Sequence, residues 1–315
     1  VNRDATKVAV VGAGRVGSTF AYALAASGLV REILIADADP ARAQGEAMDI
    51  GQAVPLMHRP VRVRSGSLAE VAGAAVTVIT AGAAQRPGEP RPALVRRNVE
   101  ALRGIVGEVV RANPDGLLLV ATNPVDALTW AALQMSGLPP ARVIGSGTVL
   151  DSARLRAELA AHYGVDARNV HAYVLGEHGD SEFVAWSTAT LGNMGLVAYC
   201  AATGMTCTEA DLQRIGARVR RAAYEIIQRK GATNFAIASA LTRIVEAIVR
   251  DESSVLTVST RVQGEYGLRD VCLSLPAIVG RAGVQRILPV PLAEAELQAL
   301  RRSADAIRGA MGNAG

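Results

Sequence analysis

The stretch VAVVGAGRVGSTFAYALAASG, residues 8–28, runs from a β-branched apolar segment through three glycines into an alanine-rich segment. Gly12, Gly14 and Gly17 stand directly after a strand-like run and at the start of a helix-like one, the context that a G-x-G-x-x-G match requires. Each glycine has its own physical task. Gly12 permits the tight turn, Gly14 lets the backbone approach a pyrophosphate, and Gly17 allows helix and strand to pack closely. The helix start offers N–H groups and the positive end of its dipole to the anion. Asp37 ends the run EILIAD downstream, where a carboxylate can accept from both hydroxyls of a ribose. Ala38 follows and carries no charge to compensate a 2′-phosphate, so NAD is expected rather than NADP.

Outward from this unit, short β-branched runs alternate with longer alanine-rich segments up to about residue 145. KVAVV, EILIA, VRVR, VTVIT, LLLVA and RVIG are six candidate strands, and several of the intervals are long enough for crossover helices. The fold class is therefore α/β, a Rossmann-type doubly wound parallel sheet. After about residue 150 the order changes. A helix from Ser152, a strand through VHAYVLG (170–176) and a long helix opened by Thr208 come first, with Thr208 and Asp211 in a capping-box pattern. A helix at 236–250, strand-like runs VLTVSTRV, VCLSLPAIVG and VQRILPV, and a last helix from about 293 follow. This pattern predicts a nucleotide-binding domain over 1–145 and an α+β substrate domain over 146–315, with an interface between them.

Composition excludes several classes. Half of the 315 residues are apolar, enough for a sizeable core. The longest apolar stretch, GLLLVATNPVDALTWAAL, is broken by Asn123, Pro124 and Asp126, which a bilayer core would penalise. No export signal is recognisable in VNRDATKVAVVGAG, so a soluble, cytoplasmic protein with no membrane partner is expected. Cys200, Cys207 and Cys272 are odd in number and lack C-x-x-C spacing, which suggests reduced structural thiols and no metal site. The net charge of +4 comes from scattered arginines. Only RVRRAAYEIIQRK (218–230) clusters them, at helical spacing, and few aromatics are available to stack bases, so no nucleic-acid partner is expected.

Four further segments carry polar groups that chemistry can use. AGAAQRPGEPRP (81–92) follows a strand and has no large apolar anchor, so it reads as a surface lid, with Arg86, Glu89 and Arg91 as groups it could deliver. In VATNPVDAL, Asn123 precedes Pro124 and either presents its side chain outward or caps the next helix. In GSGTVLDSARLRAELA, Asp151 and Arg154 stand at i and i+3 on one helix face, while Arg156 projects elsewhere. Taken alone, such an acid-base pair is also what a surface salt bridge looks like. In VLGEHGDSE, His178 lies between glycines at the end of an apolar run, and both a proton carrier and a polar turn residue stay open. If the chain from His171 to His178 is extended it spans roughly 23 Å, so the two histidines serve different places.

Taken together, GAGRVGS, AGAAQRPGEPR, ATNPVD, IGSGTVLDSARLR and GEHGDSE occur in the order and spacing of the lactate/malate dehydrogenase family, which the chain resembles over essentially its whole length. The resemblance implies that His178 exchanges the proton on the substrate oxygen during hydride transfer, oriented by Asp151. Arg154 would grip the substrate carboxylate, and Arg91 would arrive with the lid to polarise the carbonyl. Asn123 would touch the same oxygen, Thr233 in KGATNFAIA would line the pocket, and Val16, Arg42, Gly82, Ala83, Asn123 and Ser146 would join Gly12, Gly14, Gly17 and Asp37 around NAD. Gln85 is neutral where a malate enzyme carries arginine. A second substrate carboxylate would there be unpaired at a cost of about 3 kcal/mol or more, so pyruvate and lactate are expected, with malate or a broader 2-hydroxy acid as the alternative. Arg156 and His171 match positions that bind fructose 1,6-bisphosphate across a subunit interface in bacterial relatives, which gives His171 a role that the residues alone do not suggest and implies a homo-oligomer, a tetramer. Ala84, Pro90 and Pro92 depart from the family's asparagine, small polar and apolar residues, with Pro92 expected to open the helix after Arg91.

Overall fold

The computed structural model describes residues 6–83 and 91–312, without the side chains of Arg91 and Pro92. The first half alternates strand and helix: β1 (Lys7–Val11), α1 (Arg15–Ser27), β2 (Glu32–Ala36), α2 (Pro40–Ala53), β3 (Arg62–Ser65), β4 (Ala74–Ile79), α3 (Arg91–Ala112), β5 (Leu117–Val120), α4 (Val125–Ser136) and β6 (Val143–Gly145). All six expected strands are present and parallel, in the order β3-β2-β1-β4-β5-β6. The order reverses between β1 and β4, and open α/β sheets take ligands in the crevice outside the carboxyl ends at such a point. β1, β2, β4 and β5 are buried almost throughout because helices cover both faces of the sheet, which is why their sequences are continuous apolar runs.

The second half holds α5 (Val149–Tyr163), β7 (Val170–His171), β8 (Val174–Leu175), β9 (Phe183–Val184), β10 (Thr190–Leu191), β11 (Met194–Gly195), α6 (Leu196–Thr203), α7 (Glu209–Lys230) and α8 (Phe235–Arg250). β12 (Ser254–Leu256), β13 (Ser259–Gln263), β14 (Arg269–Ser274), β15 (Ala277–Gly280), β16 (Gly283–Ile287) and α9 (Glu294–Gly312) complete it. β13 and β14 form an antiparallel hairpin that extends the parallel sheet beyond β6, through the pair Ser259 and Gly145. α8 presents Ala238, Leu241, Ile244, Val245 and Ile248 on one buried stripe, and with α1 it covers one face of the sheet. α3 and α4 cover the other.

Four sequence readings need correction, two of them because VLTVSTRV and VCLSLPAIVG each divide between the main sheet (β13, β14) and the small sheet of β12, β15 and β16. VHAYVLG is not one strand: β7 pairs with β10 and β8 with β9, in separate small sheets. The cause is in α5, where Ser152 Oγ accepts from Val174 N (3.0 Å) and Thr148 Oγ1 donates to Val174 O, so side chains take hydrogen bonds a continuing ladder would have used. α5 also begins at Val149, three residues before the expected Ser152, after an N-cap at Thr148. The capping box at Thr208 and Asp211 is present as expected.

Candidate active site

The turn from β1 to α1 is built by close approach. Gly12 has φ +109°, and a Cβ there would lie 2.5 Å from the backbone nitrogen of Ala81, so only glycine fits between the ends of β1 and β4. At Gly17 a Cβ would lie 1.8 Å from the carbonyl oxygen of Gly12, which also accepts from Thr80 Oγ1 (2.9 Å). Gly14 is different: nothing lies within 4 Å of where its Cβ would be, and as the N-cap of α1 it supplies no side-chain cap. An open cradle at an uncapped helix start is what an anionic diphosphate needs. Asp37 closes the far side, with Oδ2 accepting from Ala13 N (2.6 Å) and Oδ1 from Asp39 N (2.9 Å). These residues fit a dinucleotide, and the neighbouring carboxylates of Asp37 and Asp39 oppose a 2′-phosphate.

Other residues expected to contact the cofactor surround this cradle. Val16 is on α1, exposed Arg42 is in the first turn of α2, and Gly82 and Ala83 follow β4. Ser146 is buried after β6, its N–H donating to Val120 O (2.8 Å). Asn98 on α3, which sequence reasoning missed, ties two of the turns together: its Oδ1 accepts from Ala83 N and its Nδ2 donates to Asn123 O, both at 2.9 Å. Asn123 is exposed at the end of β5, joined to Pro124 by a cis peptide. Thr233 sits between α7 and α8 in a turn held to α1 by a bond from Asn234 Nδ2 to Thr19 Oγ1 (2.9 Å).

A partly buried histidine–aspartate–arginine group is assembled by α5 and the loop after β8. Asp151 is 2% exposed, so its pairing with Arg154 is buried and not the surface bridge its spacing alone would allow. Its Oδ1 accepts from Arg154 Nη1 (2.8 Å) and its Oδ2 is 2.6 Å from His178 Nδ1. A carboxylate can only accept, so Nδ1 carries the proton there and Nε2 is left to exchange one. The His178 pKa rises from 6.5 to about 9: burial pulls it down, but the charge and hydrogen bond of Asp151, with Asp126 and Glu182, outweigh burial. Asp151 is held below its usual value against its own burial by His178 and Arg154.

Glu182, also missed from sequence, is buried, and its pKa is pushed up to about 8 by that burial and by Asp151, against His178, Arg220 and Arg154. Its only signal was a carboxylate four residues past His178. Glu182, Asp151 and His178 bring ligand atoms within 4.8 Å of one another, yet both Asp151 oxygens are already occupied by His178 and Arg154. Arg91 opens α3, but its side chain lies outside the described residues, as do Gln85, Arg86, Glu89, Ala84 and Pro90. Arg156 and His171 are not part of this assembly. Arg156 is half-buried on α5 near Tyr173 and Arg243, and His171 is exposed on β7.

Comparison with known proteins fits this geometry. Residues 6–145 match the family described as lactate/malate dehydrogenase, NAD binding domain, and residues 148–314 match its alpha/beta C-terminal domain. The chain belongs to the lactate/malate dehydrogenase family. As a member it is an NAD-dependent oxidoreductase, and NAD is its cofactor. Among curated relatives, the L-lactate dehydrogenase of Acetivibrio thermocellus is 50% identical over 98% of this chain and 96% of its own length. That of a Thermoanaerobacter species is 47% identical over 96% and 97%. Among solved structures, the ligand-bound minor L-lactate dehydrogenase of Enterococcus mundtii superposes with a TM-score of 0.96 at 40% identity, covering 99% of both chains. In this lactate/malate dehydrogenase family member, the doubly wound sheet and the cradle are thus found together with the pair His178 and Asp151.

Proposed function

We propose that this family member is an L-lactate dehydrogenase that interconverts pyruvate and (S)-lactate. The observation that carries the reading is the double engagement of Asp151, which holds His178 on one oxygen and Arg154 on the other. One carboxylate thereby orients both a proton donor and a fork for a substrate carboxylate. Held in the glycine cradle, the cofactor would supply hydride chemistry at substrate C2, as donor in its reduced form NADH and as acceptor in its oxidised form NAD+. His178, charged below about pH 9, gives its Nε2 proton to the carbonyl oxygen of pyruvate and takes it back from lactate. Arg154 fixes the substrate carboxylate, Asn123 donates to the reacting oxygen, Thr233 borders the C3 methyl, and Arg91 polarises the carbonyl when its segment closes. Residues 1–145 would form the cofactor domain, lending Asn123 and Arg91 to the substrate, and 146–315 the substrate domain.

Gln85 supports pyruvate over oxaloacetate, since a neutral amide leaves a second carboxylate without a counter-charge. Malate dehydrogenation is the second reading on the same machinery. The deciding experiment follows loss of NADH absorbance with pyruvate and with oxaloacetate. A higher kcat/KM for pyruvate is expected, and a higher value for oxaloacetate overturns the assignment. Arg156 and His171 are proposed as an anion site for fructose 1,6-bisphosphate in a cytoplasmic homotetramer. The family resemblance at these two positions supports this; the nearby Arg243 is itself paired with Glu246 and Glu252.

A further inference from the structure

All three cysteines are free thiols, and two of them share one place in the fold. Cys200 lies in the second half of α6 and is 5% exposed, and Cys207 is half-buried just before Thr208, the N-cap of α7. Both pack into the small core built by α5, β7, β10 and α7, beside Tyr163, Tyr199 and Leu212. The two thiols face each other, and both face the hydroxyl of Tyr163, the last residue of α5. That hydroxyl is buried, and among the described residues no atom meets hydrogen-bond geometry with it. A buried phenol without a conventional partner is costly. Phenylalanine with two alanines would fill the same corner without orphaning a hydroxyl, so packing alone does not account for this set of side chains.

We propose that Cys200 and Cys207 are a reversible modification site, oxidised to an intramolecular disulfide that staples α6 to the start of α7. Zinc is the poorer occupant, because among the described residues no third histidine, cysteine or carboxylate joins the two thiols. Burial raises the Cys200 thiol, so the half-buried Cys207 is the one that meets the oxidant, a small-molecule disulfide. The Cys207 thiolate attacks one sulfur of that disulfide and expels one thiol. Cys200 then gives up its proton, attacks the Cys207 sulfur and expels the second. Two protein thiols are oxidised, one small disulfide is reduced to two thiols, and the two protons end on those thiols. Tyr163, which burial keeps protonated, can donate to either sulfur while it carries charge. The bond closes a ring of eight residues, and Gly204, Met205 and Thr206 within it are exposed, so the turn can supply the small approach that the bond requires. α7 is also the helix that grips the histidine loop, through Arg220 Nη2 on Glu182 O (3.0 Å) and Tyr224 Oη on Asp180 Oδ1 (2.7 Å). A staple at its start therefore steadies a support of the candidate active site.

The test incubates the folded parent with excess hydroxyethyl disulfide, then denatures it, alkylates it with iodoacetamide and digests it with trypsin. No lysine or arginine lies between Arg168 and Arg214, so both cysteines fall in one peptide, 169–214. That peptide should appear two hydrogens lighter than its reduced form and without alkyl groups, and dithiothreitol should restore both thiols. Cys272, fully buried in the main sheet, should stay reduced and alkylated, an internal control. A second arm follows unfolding in urea by tryptophan fluorescence, since Trp186 packs against the same core. The oxidised parent should unfold at least threefold more slowly than the reduced one, and the rate of Cys207→Ser should not respond to the oxidant. The proposal is overturned by a peptide with both thiols alkylated, by one that carries the small thiol on Cys207 beside an alkylated Cys200, or by an oxidised parent that unfolds no more slowly. The mass arm needs no variant to fold. Neither arm uses pyruvate or NADH, so both stand apart from any failure of the lactate dehydrogenase reading.

Discussion

Replacing Asp151 by asparagine removes a charge while leaving an oxygen that can still accept from His178 Nδ1; its amide nitrogen then faces Arg154 Nη1, so the pH dependence of the rate, and not its absolute value, tests the electrostatic part of the pair. The His178 pKa of about 9, against 6.5 for an unperturbed histidine, corresponds to roughly 3 kcal/mol in favour of the imidazolium. Burial opposes that preference, and with the largest favourable partner gone it would bring the pKa to about 6.5 or below. At pH 7.5 a group of pKa about 9 is almost fully protonated, whereas one of about 6 is protonated in roughly one molecule in thirty. Pyruvate reduction by Asp151→Asn should therefore fall about thirtyfold in kcat/KM at pH 7.5 and recover as the pH is lowered toward 5.5. The assay is a pH profile of kcat/KM at saturating NADH, which reports the acid in the form that meets pyruvate. An alkaline limb still near pH 9 in the variant would refute the reasoning. The raised pKa also bears on stability: the imidazolium contributes fully below about pH 6.5, and that contribution is lost as pH rises through about 9.

Gly17→Ala sets a methyl carbon 1.8 Å from the Gly12 carbonyl, so α1 must shift; we expect a loss of about 1–3 kcal/mol and at least tenfold weaker NADH binding, and an unchanged Kd by fluorescence titration contradicts the cradle. Thr208→Ala removes the N-cap and capping box of α7 and should cost about 1 kcal/mol, read from the denaturation midpoint at constant slope. Fructose 1,6-bisphosphate should lower the pyruvate KM of the parent and leave that of Arg156→Gln unchanged; no effect on the parent removes the proposed anion site.

The sheet was legible because parallel strands covered on both faces must be apolar throughout, and VTVIT and LLLVA can hardly be read otherwise. The glycine cradle was legible because its function needs glycines at fixed offsets from a strand. VHAYVLG misled because its apolar character says it is buried, whereas its division is imposed by Thr148 and Ser152 of α5. The pairing of Asp151 with Arg154 could be read from spacing, but its burial could not. Asp126 registered in the sequence only as a break in an apolar stretch, for a related reason. Its carboxylate partners, the His178 N–H and Ser259 Oγ, lie 52 and 133 residues away, and no local period reports contacts at such separations.

The hairpin of β13 and β14 has a mechanical consequence. Backbone hydrogen bonds stitch a segment from beyond residue 250 onto the rim of a sheet begun at residue 7. The two halves cannot swing about a hinge at residues 146–148 without tearing that seam, so breathing of the catalytic crevice must come from peripheral segments. Residues 143–152 are themselves buried, so the test is genetic: two chains divided near residue 147 and produced together should associate, each dependent on the other to stay folded.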